Sequence, residues 1–328
     1  MSGLDTVQGV LLCFVGAFAL SYGAVRMLWN GIGANGLTRG LVLAAPVTAL
    51  AILFAAVGQA STGIALCMAA SVLMITLGNG VAAVGRDDAD YAANVTTPTS
   101  LRLILLPIAA ACAVGFHGTI TSSHLVALAV VGGLTLWSTV PELSGGGQWS
   151  GGKIGGGVLL LAAAIVLILF AAGRFQSVAG AMVVTPLVVL LAAPALLLSC
   201  MGLLSTESAE GNYASAGDTV GGFAIGCIAV ALPLTAAFGF LRSALLPLAN
   251  RWAATLTAGW EHGPIHFSKA AVLMPVATWR IDSLLLLAVA LLLTPVSVGR
   301  LRLGKAEGCF LIALYLAYAA VASRSGLM

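Results

Sequence analysis

Runs of roughly twenty apolar residues, parted by short polar breaks, recur from one end of this chain to the other. That is the length a helix needs to cross a hydrocarbon layer about 30 Å thick. The runs lie near 7–28, 40–58, 63–85, 101–117 and 123–140, then near 156–173, 178–203, 219–241, 281–298 and 306–322. Only 8% of the 328 residues are charged and 60% are hydrophobic, whereas an ordinary soluble domain is about 25% charged. A soluble fold could not keep this much apolar surface from water. The expected class is an all-α polytopic membrane protein of about ten transmembrane helices, whose main partner is the lipid bilayer.

Several other classes drop out. A net charge of +3 with scattered basic residues does not suggest nucleic acid. The six cysteines, Cys13, Cys67, Cys112, Cys200, Cys227 and Cys309, all lie in or beside apolar runs without metal-ligand spacing. They read as small packing residues, and neither a metal nor a cofactor is expected. The first apolar run exceeds a signal-peptide core and has no basic residue before it, so it reads as a retained helix; the expected location is a bacterial cytoplasmic (inner) membrane. No convergent set of His, Asp or Glu falls inside the spans, so an enzyme is not expected.

The stretch 144–157, SGGGQWSGGKIGGG, has the composition of a flexible linker. It separates 1–143 from 158–328, each with five apolar runs. In each half a third run ends in an arginine (Arg86, Arg242), and a later arginine (Arg102, Arg280) opens the final pair. Five helices per half would make the second copy run through the membrane in the opposite sense, an inverted repeat. The break at Gly58-Gln59-Ala60-Ser61-Thr62 reads as a tight turn. The stretch 243–279, with Arg251, Glu261, His262, Pro264, His266 and Lys269, reads as a connection along the interface, with Trp252 and Trp260 at headgroup depth.

Small motifs carry little chemistry. Gly147 to Lys153 spells G-x-x-x-x-G-K, but Ile154 stands where a phosphate loop needs Ser or Thr. His262 and His266 are four apart, yet Gly263 and Pro264 break any helix that would align them. His117 and His124 flank a short turn and read as solvated. Gly222 and Gly226 form a G-x-x-x-G pair suited to close helix packing. Pro46, Pro186 and Pro194 lie in apolar runs, where each frees a backbone carbonyl and invites a kink.

The closing stretch carries Arg280-Ile281-Asp282, a leucine-rich run, Arg300-Leu301-Arg302, and Glu307-Gly308 before Leu311 to Tyr318. It resembles the last helix pair of the calcium/cation antiporter superfamily, the sodium/calcium exchangers. That family's signature is built on Gly-Thr-Ser-Leu-Pro-Glu, followed by a helix with Gly-Asn and Gly-Ser-Asn. Laid on it, Thr185 and Pro194 match, and Ala195 takes the glutamate position. Asp218, Gly222 and Gly226 keep the family spacing, while Phe223 and Ile228 replace asparagines and Cys227 a serine. In the first half Gly63-Ile64-Ala65-Leu66 resembles the opening of the matching helix, with Met68, Val72 and Leu73 at its polar positions.

The resemblance implies a sodium/calcium exchanger-like fold, but not its calcium chemistry. No Asp or Glu occurs between Asp5 and Asp87 or between Glu142 and Glu207. A calcium site takes roughly six to eight oxygens, normally with carboxylates among them, and a buried acid costs about 2.5–3.5 kcal/mol to insert. The expectation is therefore a secondary transporter of a monovalent cation or small solute that has lost the calcium site. Its candidate ligands are Gln59, Ser61, Ser71, Thr185, Pro194, Ser199 and Asp218, with Asp218 serving either as a helix N-cap or at a gate. The alternative is a membrane scaffold that does not transport and binds a partner protein at 243–279.

Overall fold

A computed structural model describes residues 3–31, 36–85, 103–115, 118–143, 150–179, 213–258, 272–273, 276–297 and 303–325. These residues form nine helices: α1 (Gly3–Gly31), α2 (Gly36–Ala56), α3 (Ala60–Val84), α4 (Leu105–Gly115), α5 (Ser122–Leu143), α6 (Gly151–Ala179), α7 (213–258), α8 (Val276–Ser297) and α9 (Lys305–Ser325). A two-residue antiparallel pair, β1 (Thr119–Ile120) with β2 (Val272–Leu273), ties the α4–α5 connection to the segment before α8. Of the run expected at 178–203, residues 178–179 close α6 and the rest lie outside the described residues.

Among the described residues, five helical stretches are long and apolar enough to cross a membrane: Gly36–Ala56, Ala60–Val84, Ser122–Val140, Ala216–Leu245 and Trp279–Val296. Burial ranks them. The Ala60–Val84 window is 78% buried and the Ser122–Val140 window 22%, so α3 is the central helix and α5 a peripheral one. Val126, Val130, Leu134 and Trp137 of α5 project outward, as suits a helix whose solvent is hydrocarbon. The protein is an integral membrane protein.

Glycine sets the distances between these helices. A Cβ on Gly40 of α2 would collide with the Thr219 carbonyl and lie 2.5 Å from the Phe223 nitrogen of α7. A Cβ on Gly222 would collide with the Leu37 carbonyl, and one on Gly226 would sit 2.5 Å from Ala44 Cβ. The G-x-x-x-G pair is thus a packing face, against α2. In lipid, helices gain nothing from burying apolar surface they could leave in the hydrocarbon, so close backbone approach is what holds such a pair together. Gly132 meets Ala229, Gly80 faces Gly308 across the α3–α9 contact, and Gly115 of α4 leaves the space that the Trp279 indole of α8 fills.

Parts of two expected connections are helical. Within 144–157, residues 151–157 open α6. Two of their glycines serve packing: a Cβ on Gly157 would lie 2.8 Å from Leu28 Cγ, and one on Gly156 would lie 3.3 Å from Met27 Sδ. α1 and α6 run antiparallel, Gly16 beside Leu167 and Gly23 beside Leu160. Lys153 therefore sits on a helix, not in a phosphate loop. Within 243–279, α7 continues to Ala258 because 243–258 is rich in Ala and Leu, strong helix formers, and 276–279 already belongs to α8. His262 and His266 lie outside the described residues. His124 is half-buried, with Nδ1 3.1 Å from the Thr119 carbonyl oxygen, so it braces the loop that carries β1. Pro46 is accommodated in α2 without ending the helix.

The turn at Gly58 is as tight as the sequence suggested. Gly58 has φ of 97°, a left-handed conformation that glycine adopts without a Cβ penalty. Gln59 N–H donates to the Phe54 carbonyl at 2.8 Å. The Arg242 guanidinium of α7 lies where a Gly58 side chain would be and donates to the Ala56 carbonyl at the end of α2.

Gly40→Ala or Gly222→Ala should destabilise the protein by about 1–3 kcal/mol through overpacking of backbone that cannot rotate away. Gly155→Ala, with nothing within 4 Å of the added carbon, should be neutral or slightly stabilising. Thermal unfolding in one detergent, with the variants compared side by side, measures the difference.

Candidate functional site

Among the described residues, half of the buried polar side chains lie on α3 and α7. Both helices carry a π-helical segment, Met74–Gly78 in α3 and Gly226–Ala231 in α7. Such a segment winds one extra residue into the helix and is common where helices carry function. It also shifts the register of faces. Residues eight apart in an α-helix are about 80° apart in azimuth, but across a π insertion they return to nearly one face. Ser71 and Asn79 of α3 are related in this way, and so are Cys227 and Thr235 of α7.

The two helices run antiparallel along each other. Gly63 meets Thr235, whose Cγ2 would be 2.8 Å from an added Cβ, and Gly78 meets Val220. Between these contacts the Cys67 thiol is within hydrogen-bonding reach of Thr235, and the Cys227 thiol within reach of Ser71. Cys67, Ser71, Asn79, Cys227 and Thr235 are all fully buried, and Thr76 is 1% exposed. The seam at the centre of the molecule is therefore polar, dry and neutral.

Its hydroxyl hydrogens are already engaged. Ser71 Oγ donates to the Cys67 carbonyl at 2.8 Å, Thr76 Oγ1 to the Val72 carbonyl at 2.6 Å, and Thr235 Oγ1 to the Ala231 carbonyl at 2.7 Å. Asn79 Nδ2 donates to the Ile75 carbonyl at 2.8 Å, which fixes the amide's orientation and leaves Oδ1 buried without a partner. Each bond turns back onto the helix that made it. A hydroxyl has one hydrogen and two lone pairs, and an amide oxygen has only lone pairs. What the hydroxyls still offer their surroundings is acceptor oxygen, and Asn79 offers Oδ1 together with the second hydrogen of Nδ2. An unpaired acceptor in such a core costs about 1–3 kcal/mol.

The expected ligands fall in several places. Ser71 lies on the seam. Gln59 and Ser61 lie at the start of α3, roughly 15 Å along the helix axis from Ser71, and Gln59 stands at the N-cap position without a side-chain capping bond. Asp218 is half-buried within α7, five residues past its first residue, Tyr213. It is not the N-cap, because the helix begins a full turn earlier. Thr185, Pro194 and Ser199, with Pro186, lie outside the described residues.

Thr76, Asn79 and Thr235 were missed as site residues, although single polar residues inside apolar runs are the signal that marked Ser71. Asp282 was missed too. It is 3% exposed and, among the described residues, the one buried acid. Tyr318 Oη of α9 donates to its Oδ1 at 2.7 Å. Nothing in the local sequence joins two residues 36 apart on consecutive helices. Among the described residues no group of three or more His, Cys, Asp or Glu side chains is placed to hold a metal ion.

No family model matches the sequence, and no curated protein matches it either. The fold is nonetheless shared with solved structures of the sodium-calcium exchanger NCX_Mj. One, soaked with 2.5 mM Na+ and 1 mM Sr2+, aligns with a TM-score of 0.59 at 15% identity over 97% of this chain and 99% of that one. Another, soaked with 2.5 mM Na+ and 0.1 mM Ca2+, aligns with a TM-score of 0.56 at 16% identity over 98% and 99%. At such identities the likeness is one of fold: this is a mostly helical membrane protein of exchanger-like architecture.

Burial predicts thiol reactivity. Cys67 and Cys227 are fully buried and Cys309 is exposed. In detergent, N-ethylmaleimide should modify Cys309 at least about tenfold faster than either buried thiol, read by mass spectrometry of single-cysteine variants.

Proposed function

We propose that the protein is an exchanger-like secondary transporter of a monovalent cation, with its site on the polar seam between α3 and α7. The observation that carries this is the acceptor-rich character of the seam. Ser71, Thr76 and Thr235 use their hydroxyl hydrogens on their own helices, and Asn79 uses one of its two amide hydrogens there, so lone pairs outnumber the hydrogens left to meet a ligand. Lone pairs suit a cation; an anion would need donors, and a hydroxylated neutral solute would use both.

Neutral oxygens also favour one charge over two. A divalent ion gives up far more hydration on entering a dry site, and carboxylates normally compensate for it. The segments from Asp5 to Asp87 and from Glu142 to Glu207 contain no carboxylate between those residues. In this reading Thr185 and Ser199, with the carbonyls freed by Pro186 and Pro194, complete the site from the apolar run at 178–203, and the calcium site has been lost. The inverted repeat belongs to the same proposal. It is supported by the matching π-helical segments of α3 and α7 and by their antiparallel pairing, as expected of helices related by an axis in the membrane plane.

A second reading, a scaffold that docks a partner protein, is favoured by one feature. The span Ala216–Leu245 is followed by helix as far as Ala258. Those further residues add roughly 20 Å of helix, more than the bilayer requires.

Purified protein in liposomes should take up Na+ or Rb+ down a gradient and should not move Ca2+. Ser71→Ala, Asn79→Ala and Thr235→Ala should each lower the rate by about tenfold, the effect of losing about 1.4 kcal/mol of stabilisation. Gln59→Ala and Ser61→Ala test whether the start of α3 shares the site. Calcium uptake, or monovalent uptake indifferent to all three seam substitutions, would sink the proposal; stoichiometric capture of one partner without flux would favour the scaffold.

A further inference from the structure

The second candidate site lies away from the α3–α7 seam, where α8 meets α9. Asp282 sits six residues into α8, within the apolar stretch Trp279–Val296, and is almost fully buried. An ionisable side chain at such a place is rare, because hydrocarbon and packed protein both disfavour its charge, and one that persists commonly has a function. A buried carboxylate is tolerated when a cation or several donors compensate it. Here the one hydrogen bond is from Tyr318 Oη to Oδ1 at 2.7 Å.

The neighbouring titratable groups supply no positive charge. From α9 they are Tyr318 and Tyr315, whose rings lie 6.0 Å apart. From α4 it is Cys112, whose Sγ donates to the Ser283 carbonyl at 3.3 Å. Arg280, two residues earlier on α8, is exposed, and among the described residues no Lys, Arg or His contacts the carboxyl. With one neutral donor and no counter-charge, the form this pocket accepts is the neutral acid.

We propose that Asp282, with Tyr318, is a proton-binding site within the membrane, holding a proton while α8 and α9 are in contact and releasing it when that contact opens. Oδ1 accepts from Tyr318, so the acid hydrogen sits on Oδ2; on opening it passes to water and leaves a hydrated carboxylate. The sign follows. The closed contact binds the protonated form better, so it is favoured at low pH and weakened as pH rises through the pKa of the closed state. If the protein carries a cation as proposed above, the proton is the ion exchanged for it; this last step rests on that reading, whereas the protonation does not.

Infrared spectroscopy of the protein in lipid vesicles tests the site directly. Near neutral pH, where ordinary carboxyls are ionised, the wild type should show the carbonyl stretch of one protonated carboxyl. Asp282→Asn should abolish it, and Tyr318→Phe should shift its frequency by removing the hydrogen bond. No such band in the wild type, or one that survives Asp282→Asn, overturns the proposal; if Asp282→Asn does not fold, a band indifferent to Tyr318→Phe does so. Coupling is read with a pH-sensitive dye trapped in the vesicles and Na+ as the probe. An imposed Na+ gradient should change the internal pH in the wild type but not in Asp282→Asn. Sodium flux without a pH change, or a pH change retained in Asp282→Asn, removes the coupling role. Absence of any Na+ or Rb+ flux removes the transport reading alone, because the infrared band is observed without flux.

Discussion

Backbone-to-backbone contact between helices is the interaction on which this structure depends. In water a helix pair is held by the apolar surface it removes from solvent; in a bilayer that driving force is largely absent, and helices associate where their backbones come close. The contacts of α7 with α2 through Gly40, Gly222 and Gly226, with α3 through Gly63, and with α5 through Gly132 all have this form. Each places one helix's glycine against a carbonyl or a small side chain of another. α2, α3 and α7 are thereby fixed at separations that larger residues would not permit, and the polar seam lies within that group.

Close packing also explains why the seam tolerates so many polar atoms. In lipid an unpaired donor has nowhere to turn, so each seam hydroxyl returns its hydrogen, and the Asn79 amide one of its two, to a carbonyl three or four residues back on its own helix. The cost of burial falls, and lone pairs are left facing the neighbouring helix. The π-helical segments add what side-chain chemistry alone would not: they rotate Asn79 onto the face of Ser71, and Thr235 onto the face of Cys227. Asp282 and Tyr318 follow a different rule. Their hydrogen bond joins two helices, and its strength depends on how close α8 and α9 lie.

The helix positions were largely legible in the sequence because bilayer thickness sets run length, and a run of that length has few other uses. The break at Gly58 was legible too, since glycine alone adopts its φ without strain. Other connections misled because composition is ambiguous there. Gly156 and Gly157 have the composition of a linker, yet they are glycine so that α6 can lie against Met27 and Leu28. The segment 243–258 contains Arg251 and Trp252, yet its Ala and Leu content carries α7 onward. Among the site residues, Ser71 stood out as one polar group in an apolar run; Asn79 and Thr235 carried the same signal but could not be ranked without knowing which faces meet.

By itself the sequence determined that this chain lives in a bilayer, roughly where its helices run, and that long stretches of it offer an ion no carboxylate. Those are properties of composition and of short-range order along one strand of polymer. Only the tertiary structure decided that α3 and α7 lie antiparallel with their polar residues facing, that Gly40 touches Thr219, and that Asp282 finds Tyr318. The physical reason is that such contacts depend on the azimuth and distance of helices far apart in the chain. Local periodicity says which residues share a face; packing against distant helices decides what that face meets.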